Sequence, residues 1–403
     1  MKLLIAITNF LVGCLIMVLT TACTNPQNED LSKGLERNKT TSQKKKYSFG
    51  ECTRGESAIP LKDGGYIVTG YVLDKFKKDK FDSLVFDKRS GIILRVDSNL
   101  EKKWLIVNEQ HYNNEISSAV QINDSIFACF SNIYNKKVKA LNTVTVLFFN
   151  LKGKIVGEEA ILVTKKESYF NNGAVLASDN SIILYGQVTS FNPKVDYYFV
   201  LHKLNTQGKI LKTIRVSIPK QLASECCMVN SGDGNLFFAG ASCDFKDMKL
   251  IKMTADFKKI WEKTIAIGFE PLLKETKTGG VIVTYKDIEN GNDFVTKTQE
   301  FDKDGNSFWE NKQNSFVAKY ITQTNDNSYI LLSPARNDQI SISKMSSNGQ
   351  IQSDKKIRLD SLQYPSYMYQ TKSGKIFIVG QEVNGAFDSY DRKMVLLYAN
   401  ENQ

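Results

Sequence analysis

A chain of 403 residues in which one four-strand pattern recurs seven times predicts an all-β protein, a seven-bladed β-propeller of four-stranded antiparallel blades. Three observations carry this. Six segments superimpose as strand, tight turn and strand: Ile92–Val107, Thr145–Ala160, Val200–Arg215, Lys249–Thr264, Lys297–Lys312 and Ser341–Lys356. All three tryptophans, Trp104, Trp261 and Trp309, fall on a single position of that repeat. Seven other segments pair a polar turn with an apolar strand: Asp63–Gly70, Asn123–Phe130, Asp179–Gly186, Asp233–Gly240, Thr278–Tyr285, Asp326–Ser333 and Lys372–Gly380.

Each unit therefore reads as strands a to d joined by hairpins, about 45 to 60 residues per blade. Strand a is a short apolar run such as Ala58–Leu61 or Gly173–Leu176, and strand b is the apolar run after the polar turn. Strand c ends on an apolar anchor: Val96, Phe149, Leu204, Met253, Phe301 or Met345. Four residues later stands Leu100, Gly153, Gly208, Phe257, Gly305 or Gly349, where a tight hairpin requires positive φ. Strand d then carries the tryptophans, which one-per-blade spacing places in the packing between blades rather than on a sugar. No long run keeps a helical apolar period. The unit resembles the WD40-like and quinoprotein-like propeller repeats of bacterial exported proteins. That resemblance spans about 350 residues and implies an architecture without a catalytic motif.

The seventh second half, Met394–Gln403, stops where its turn to strand d belongs. An open ring would leave unpaired edges. Lys44–Glu51, KKKYSFGE, matches EKKWLIVNE with Tyr47 in place of Trp104, so the N-terminal strand is expected to close the ring.

Ahead of that strand, residues 1–22 combine Lys2 with an apolar run and read as a lipoprotein signal peptide, with an uncleaved membrane anchor as the alternative. Thr20-Thr21-Ala22-Cys23 resembles the bacterial lipoprotein cleavage box, although Thr20 stands where an aliphatic residue is usual. The resemblance implies diacylglycerol and fatty acid on Cys23, which would hold the chain to a membrane. Residues 23–43 are polar and read as a flexible tether, leaving 44–403 as the propeller domain. The expected location is the bacterial cell envelope, on the outer membrane rather than the inner.

The formal net charge of +10 is spread over every blade, and no helix-turn-helix, zinc or RNA-binding pattern accompanies it. A nucleic-acid partner is not expected; a basic face for an anionic glycan or a membrane surface fits better. Of seven cysteines, Cys52, Cys129, Cys226, Cys227 and Cys243 lie beyond the signal region. Their odd number and irregular spacing make no disulfide framework. They read as small buried hydrophobes, with a bridge from Cys226 or Cys227 to Cys243 as the sharper possibility. The two histidines, His111 and His202, are too few for the histidine clusters of metal-centred propeller lyases. His202 takes a mostly apolar position and reads as a core imidazole. Sialidase-type Asp boxes, a nucleophile elbow and a phosphate loop are absent. Asp302-Lys303-Asp304-Gly305-Asn306 resembles the start of a calcium loop but lacks its distal glutamate, and reads as a hairpin turn. No cofactor, metal or catalytic residue is expected.

The functional expectation is a non-catalytic binding or scaffold module for a protein or glycan partner. The alternatives are a glycan-active hydrolase or lyase, and an assembly factor resembling the outer-membrane propeller lipoproteins that serve β-barrel insertion. The a–b and c–d turns are short, whereas some b–c connections are long, Asp74–Ser90 above all, with Asn384–Arg392 beside it across the closure. Loops vary while strands hold them. The expected partner site is therefore this loop face, with Lys77, Lys78, Lys80, Phe81, Lys88 and Arg89 next to Phe387, Tyr390 and Arg392.

Overall fold

The computed structural model describes residues 43–400 apart from 74–75, 79–83, 87, 110–113, 136–139, 163–166, 191–195, 217–222, 243–246, 266–267, 290–292, 314–317, 335–338, 359–361 and 384–391. The described residues form strands and turns, without a helix. Blade 1 consists of strands a to d at Cys52–Pro60, Tyr66–Leu73, Arg89–Val96 and Lys102–Asn108, paired antiparallel in that order. The innermost strands of blades 2 to 7 are Asn114–Gln121, Glu167–Leu176, Ala223–Asn230, Phe269–Glu275, Tyr320–Gln323 and Leu362–Gln370. Each lies against the innermost strand of the next blade, and Leu362–Gln370 returns to Cys52–Pro60. The ring is thus closed among the described residues.

The expected strand closes the ring, but four residues away from the register that its match to Glu101–Glu109 implies: Gln43, not Tyr47, stands opposite Tyr398, the counterpart of Arg95 opposite Trp104. Lys44–Tyr47 pairs antiparallel with Arg392–Asn400, strand c of blade 7, from Lys44 opposite Leu397 to Tyr47 opposite Met394. The strand is shorter than Lys44–Glu51, because Phe49 and Gly50 bend toward blade 1. Lys46 also reaches the buried Glu382 carboxylate at 2.7 Å.

Apolar alternation on both faces of each sheet produces a core between blades. Seven clusters fill the seven gaps. Ile67 and Ile93 of blade 1 meet Phe127 and Phe149 of blade 2, for example, and Tyr66 stacks on Phe377 of blade 7 with centroids 3.7 Å apart. The six strand-c anchors are all buried, none exposing more than 4%. Every expected turn position has positive φ, including the non-glycine Leu100 at 59° and Phe257 at 63°. A left-handed residue with a Cβ costs roughly 1–2 kcal/mol. Both side chains are buried in inter-blade clusters, which offsets that cost.

The tryptophans are half-buried struts rather than full core residues. Each indole N–H donates to a carbonyl in the c–d turn of the following blade: Trp104 to Leu151 at 2.8 Å, Trp261 to Lys303 at 3.0 Å, Trp309 to Ser347 at 3.0 Å. Lys212, at the same repeat position, donates to the Asp256 carbonyl at 2.7 Å, and the Tyr47 hydroxyl donates to the Leu100 carbonyl. One repeat position therefore ties four blades to their neighbours, and Tyr47, from a different position of its strand, ties blade 7 to blade 1.

A second repeated device lies at the same end of the ring. The a–b turn aspartates Asp63, Asp179, Asp233 and Asp326 accept N–H bonds from their own turns. Each also meets a strand-c cation, respectively Arg95, Lys203, Lys252 and Lys344. Burial alone would raise the carboxyl pKa values of Asp179 and Asp233, but their lysines and turn N–H groups hold both down at about 2.

The remaining expectations sort as follows. Cys52, Cys129 and Cys226 are buried free thiols, Cys227 is half-buried and free, and Cys243 lies outside the described residues. His202 is buried, its Nδ1 2.8 Å from the Thr213 hydroxyl, and burial lowers its pKa to about 4. His111 is outside the described residues. The Asp302 carboxylate accepts N–H bonds from Asp304 and Asn306, as in a hairpin turn.

Candidate functional site in the channel wall

The innermost strands are longer than the apolar runs suggested. Strand a of blade 1 begins at Cys52, six residues before Ala58, and strand a of blade 3 begins at Glu167, six before Gly173. The added residues are mostly polar, and they are where the strands stop behaving regularly. Register breaks fall between Gly55 and Ser57, Ile116 and Ser118, Asn171 and Gly173, Ala223 and Glu225, Phe269 and Leu272, and Pro365 and Tyr367. A bulge adds an unpaired residue and re-aims its side chain. The residues so displaced include Glu56, Ser117, Asn172 and Glu270.

Facing these bulges, strand b carries glycine. Gly70 stands opposite Gly55, Gly186 opposite Asn171 and Gly380 opposite Pro365. A Cβ on Gly70 would lie 1.9 Å from the Arg54 carbonyl oxygen. The glycine that ends motifs such as Tyr66–Gly70 is thus required by the bulged backbone beside it.

On one side of the channel, blades 1 and 2 assemble a network around two glutamates. Arg54 Nε lies 2.7 Å from Glu56 Oε1, and Arg54 also bonds Tyr71. Arg89 pairs with Glu115 and lies 4.4 Å above the Tyr71 ring. Burial raises the Glu56 pKa, Arg54 opposes that, and the charge of Glu115 adds to it. Arg54 and Glu56 still expose 40% and 25% of their side chains, so they line a recess rather than fill a core.

Across the ring, blades 4 to 6 build a second network. Glu270 sits at φ 51°, an unusual conformation for glutamate. Its carboxylate binds both Lys286 and Lys319. These lysines outweigh burial and lower its pKa. The neighbouring Glu225 goes the opposite way: burial, then the Glu270 charge, push it up to about 7 against the pull of both lysines. Two carboxyl groups within electrostatic range of each other thus have pKa values shifted in opposite directions.

Tyrosines stand between the networks. Tyr320 and Tyr367 lie with ring centroids 6.2 Å apart. Burial raises the Tyr320 hydroxyl pKa, and Glu56 and Arg54 are near enough to act on it as well. Tyr185 is in turn within electrostatic range of Tyr320. All three are half-buried and pack against the inter-blade clusters.

The loop-face residues expected from sequence divide into three groups. Lys77 and Lys78 belong to a short strand, Phe76–Lys78, that pairs with Leu84–Phe86, so this long connection contains a hairpin of its own. Lys80, Phe81, Phe387 and Tyr390 lie outside the described residues, as does Cys23. Lys88 is half-buried, 3.8 Å from Glu109. Arg89 and Arg392 share one row of the sheet, Arg392 opposite Cys52, Cys52 opposite Leu73 and Leu73 opposite Arg89, and with Arg54 their charges oppose the larger effect of burial on the Cys52 thiol. Sequence reasoning missed Arg54, Glu56, Tyr71, Glu115, Glu225, Glu270, Lys286, Lys319 and the tyrosines. The glycine closing strand b was the available signal, since it marks where strand a bulges.

No protein-family model and no curated protein matches the sequence. Solved structures do. A protein of unknown function from Dyadobacter fermentans DSM 18053 aligns over 89% of this chain and 100% of its own, at 10% identity and TM-score 0.56. The polysaccharide lyase Uly1 aligns over 94% of both chains at 10% identity and TM-score 0.52. The Dos1 propeller aligns over 89% of this chain and 95% of its own, at 8% identity and TM-score 0.51. At such identities the likeness establishes the propeller fold and nothing further.

Proposed function

We propose that this chain is a lipid-anchored envelope protein whose channel binds a saccharide chain, as a non-catalytic binding module. The observation that carries the reading is the non-repeating set of inner-strand residues. Fixed carboxylates and cations at Glu56, Arg54, Glu270 and Lys319 flank the half-buried Tyr320 and Tyr367. Polar groups held by ion pairs hydrogen-bond hydroxyls, and tyrosine faces pack on sugar rings. Lys88, Arg89 and Arg392, with Lys77, Lys78, Lys80, Phe81, Phe387 and Tyr390 of the long connections, would extend the site over the loop face. A glycan array probed with the wild type and with Tyr320→Ala/Tyr367→Ala tests this. Binding lost at least tenfold in the double variant supports it, and equal binding by a folded variant rejects it.

The anchor is tested separately: a fatty-acid probe should label the wild type and leave Cys23→Ser unlabelled. A second reading, glycan-active enzyme, is favoured by Glu225, a carboxylic acid at about 7 beside the ionised Glu270. The polysaccharide lyase among the similar structures agrees with it at the level of fold. Glu225→Gln that binds glycan normally but loses turnover would select this reading over the first.

A further inference from the structure

Arg392, Arg54 and Arg89 lie around the start of strand a of blade 1, Arg392 opposite Cys52, Cys52 opposite Leu73 and Leu73 opposite Arg89, and they are unequally satisfied. Arg54 holds Glu56, and Arg89 holds Glu115. Arg392 begins strand c of blade 7, bridged to Cys52 of blade 1, and its backbone N–H donates to the Glu51 carbonyl at 3.2 Å. Its Nε is buried and has no hydrogen-bond partner among the described residues. A buried guanidinium N–H left unmade costs more than an ordinary bond returns. Arg54 and Arg89 each hold a glutamate beside it, and burial pushes one of those, Glu56, toward its neutral form. The junction of blades 7 and 1 thus gathers three guanidinium groups, and one N–H of Arg392 among them has no partner within the described residues. Planar guanidinium groups match the oxygens of carboxylates and sulfates, which they bind through paired N–H bonds.

We propose that Arg392, supported by Arg54 and Arg89, is a subsite for the acidic substituent of the saccharide, a carboxylate or a sulfate ester. The assignment rests on the channel reading above and narrows it to anionic glycans. The buried thiol of Cys52 and Gln381, whose Nε2 lies 3.6 Å from that sulfur, form the floor of the junction.

The test uses the full-length chain in detergent, titrated with glucuronate, glucose 6-sulfate, glucose and inorganic sulfate by calorimetry. Wild type, Arg392→Ala and Arg392→Gln are compared, with thermal melting as the check on folding; Gln serves if Ala does not fold. The expected result is binding of at least one acidic sugar ten times or more tighter than glucose. That preference should be lost in the Arg392 variants and weaken with added salt. Preference for glucuronate over glucose 6-sulfate identifies a carboxylate site, and the reverse a sulfate site. Acidic sugars bound equally by wild type and a folded Arg392 variant would overturn the subsite. Glucose bound as well as glucuronate would overturn it too, leaving the channel reading intact. Inorganic sulfate bound in an Arg392-dependent way without any sugar supports the anion subsite and rejects the saccharide.

Discussion

The turn end of the ring repeats itself, and the channel wall does not. At the turns, four blades use the same position to reach the next blade's carbonyl, and four use the same aspartate to hold a strand-c cation. In the channel the bulge itself recurs, yet the residue it displays changes: Glu56, Ser117, Asn172, Glu270. A repeat protein is stabilised by terms shared between neighbours. What differs from blade to blade at a common backbone feature is free to serve a ligand. The contrast separates support from site, and it makes different predictions for substitutions at each.

The largest effect should come from the closing strand. Deleting residues 44–50 removes four ladder partners of Arg392–Asn400, the Tyr47 strut and both lysines on Glu382. A loss of several kcal/mol, or about 10 °C or more in melting temperature, is expected for a domain of this size. Deleting residues 25–40 should leave the melting temperature within about 2 °C, because a segment with hardly an apolar residue has little surface to bury. If the two deletions melt alike, support is not organised around closure.

Next come the struts. Trp261→Ala removes packing against Phe237 and the bond to Lys303, and should cost about 3 kcal/mol by chemical denaturation. Trp261→Phe keeps most of the packing and should cost about 1 kcal/mol. Equal losses would mean that the hydrogen bond, rather than the ring, couples the blades.

These positions were legible in the sequence because recurrence exposed them. Trp104, Trp261 and Trp309 share a column, and Leu100 and Phe257 stand in a glycine column although neither side chain favours that φ. The same method hid the channel. Residues 52–57 read Cys-Thr-Arg-Gly-Glu-Ser, with no apolar alternation, so the strand seemed to begin at Ala58. A bulged strand facing a polar channel has no buried stripe to show. Nor does sequence bring Glu225 to Glu270, or Arg54 to Arg89, since those approaches cross blades or strands. Arg89 and Arg392 were anticipated as basic loop residues; their place in one row of the sheet with Cys52 depends on closure, which only the folded ring displays.

The bulge itself can be tested where it touches the support. Gly70→Ala drives a Cβ toward the Arg54 carbonyl and should cost about 2 kcal/mol through backbone displacement. Gly374→Ala, at φ 83° with open space around it, should cost about 1 kcal/mol from conformation alone. The Gly70 change should also weaken ligand binding, because it moves Arg54 and Glu56, and the Gly374 change should not. Binding unaffected by a folded Gly70→Ala would detach the bulge from the site.

The last contrast lies in the channel, and pH brings it out. Glu225 faces Glu270 on the adjacent innermost strand, with Lys286 and Lys319 beyond it, and its pKa is raised to about 7. An unfolded glutamate titrates near 4.3. Between those values the folded chain keeps a proton that the unfolded chain releases, so stability falls as pH rises from about 4.3 to 7 and levels off above. The turn aspartates have the opposite sign: Asp179 and Asp233, held at about 2, contribute stability that is lost as pH falls from about 4 toward 2. Glu225→Gln should match the wild type within about 0.5 kcal/mol at pH 5, where the native acid is neutral and similar in shape to the amide. It should remove the decline between pH 5 and 7 and leave the acid limb unchanged. Denaturation curves at pH 3, 5 and 7 decide the matter. A variant with the same decline as the wild type would show that the proton is not held at Glu225, and the opposed shifts of Glu225 and Glu270 would lose their support.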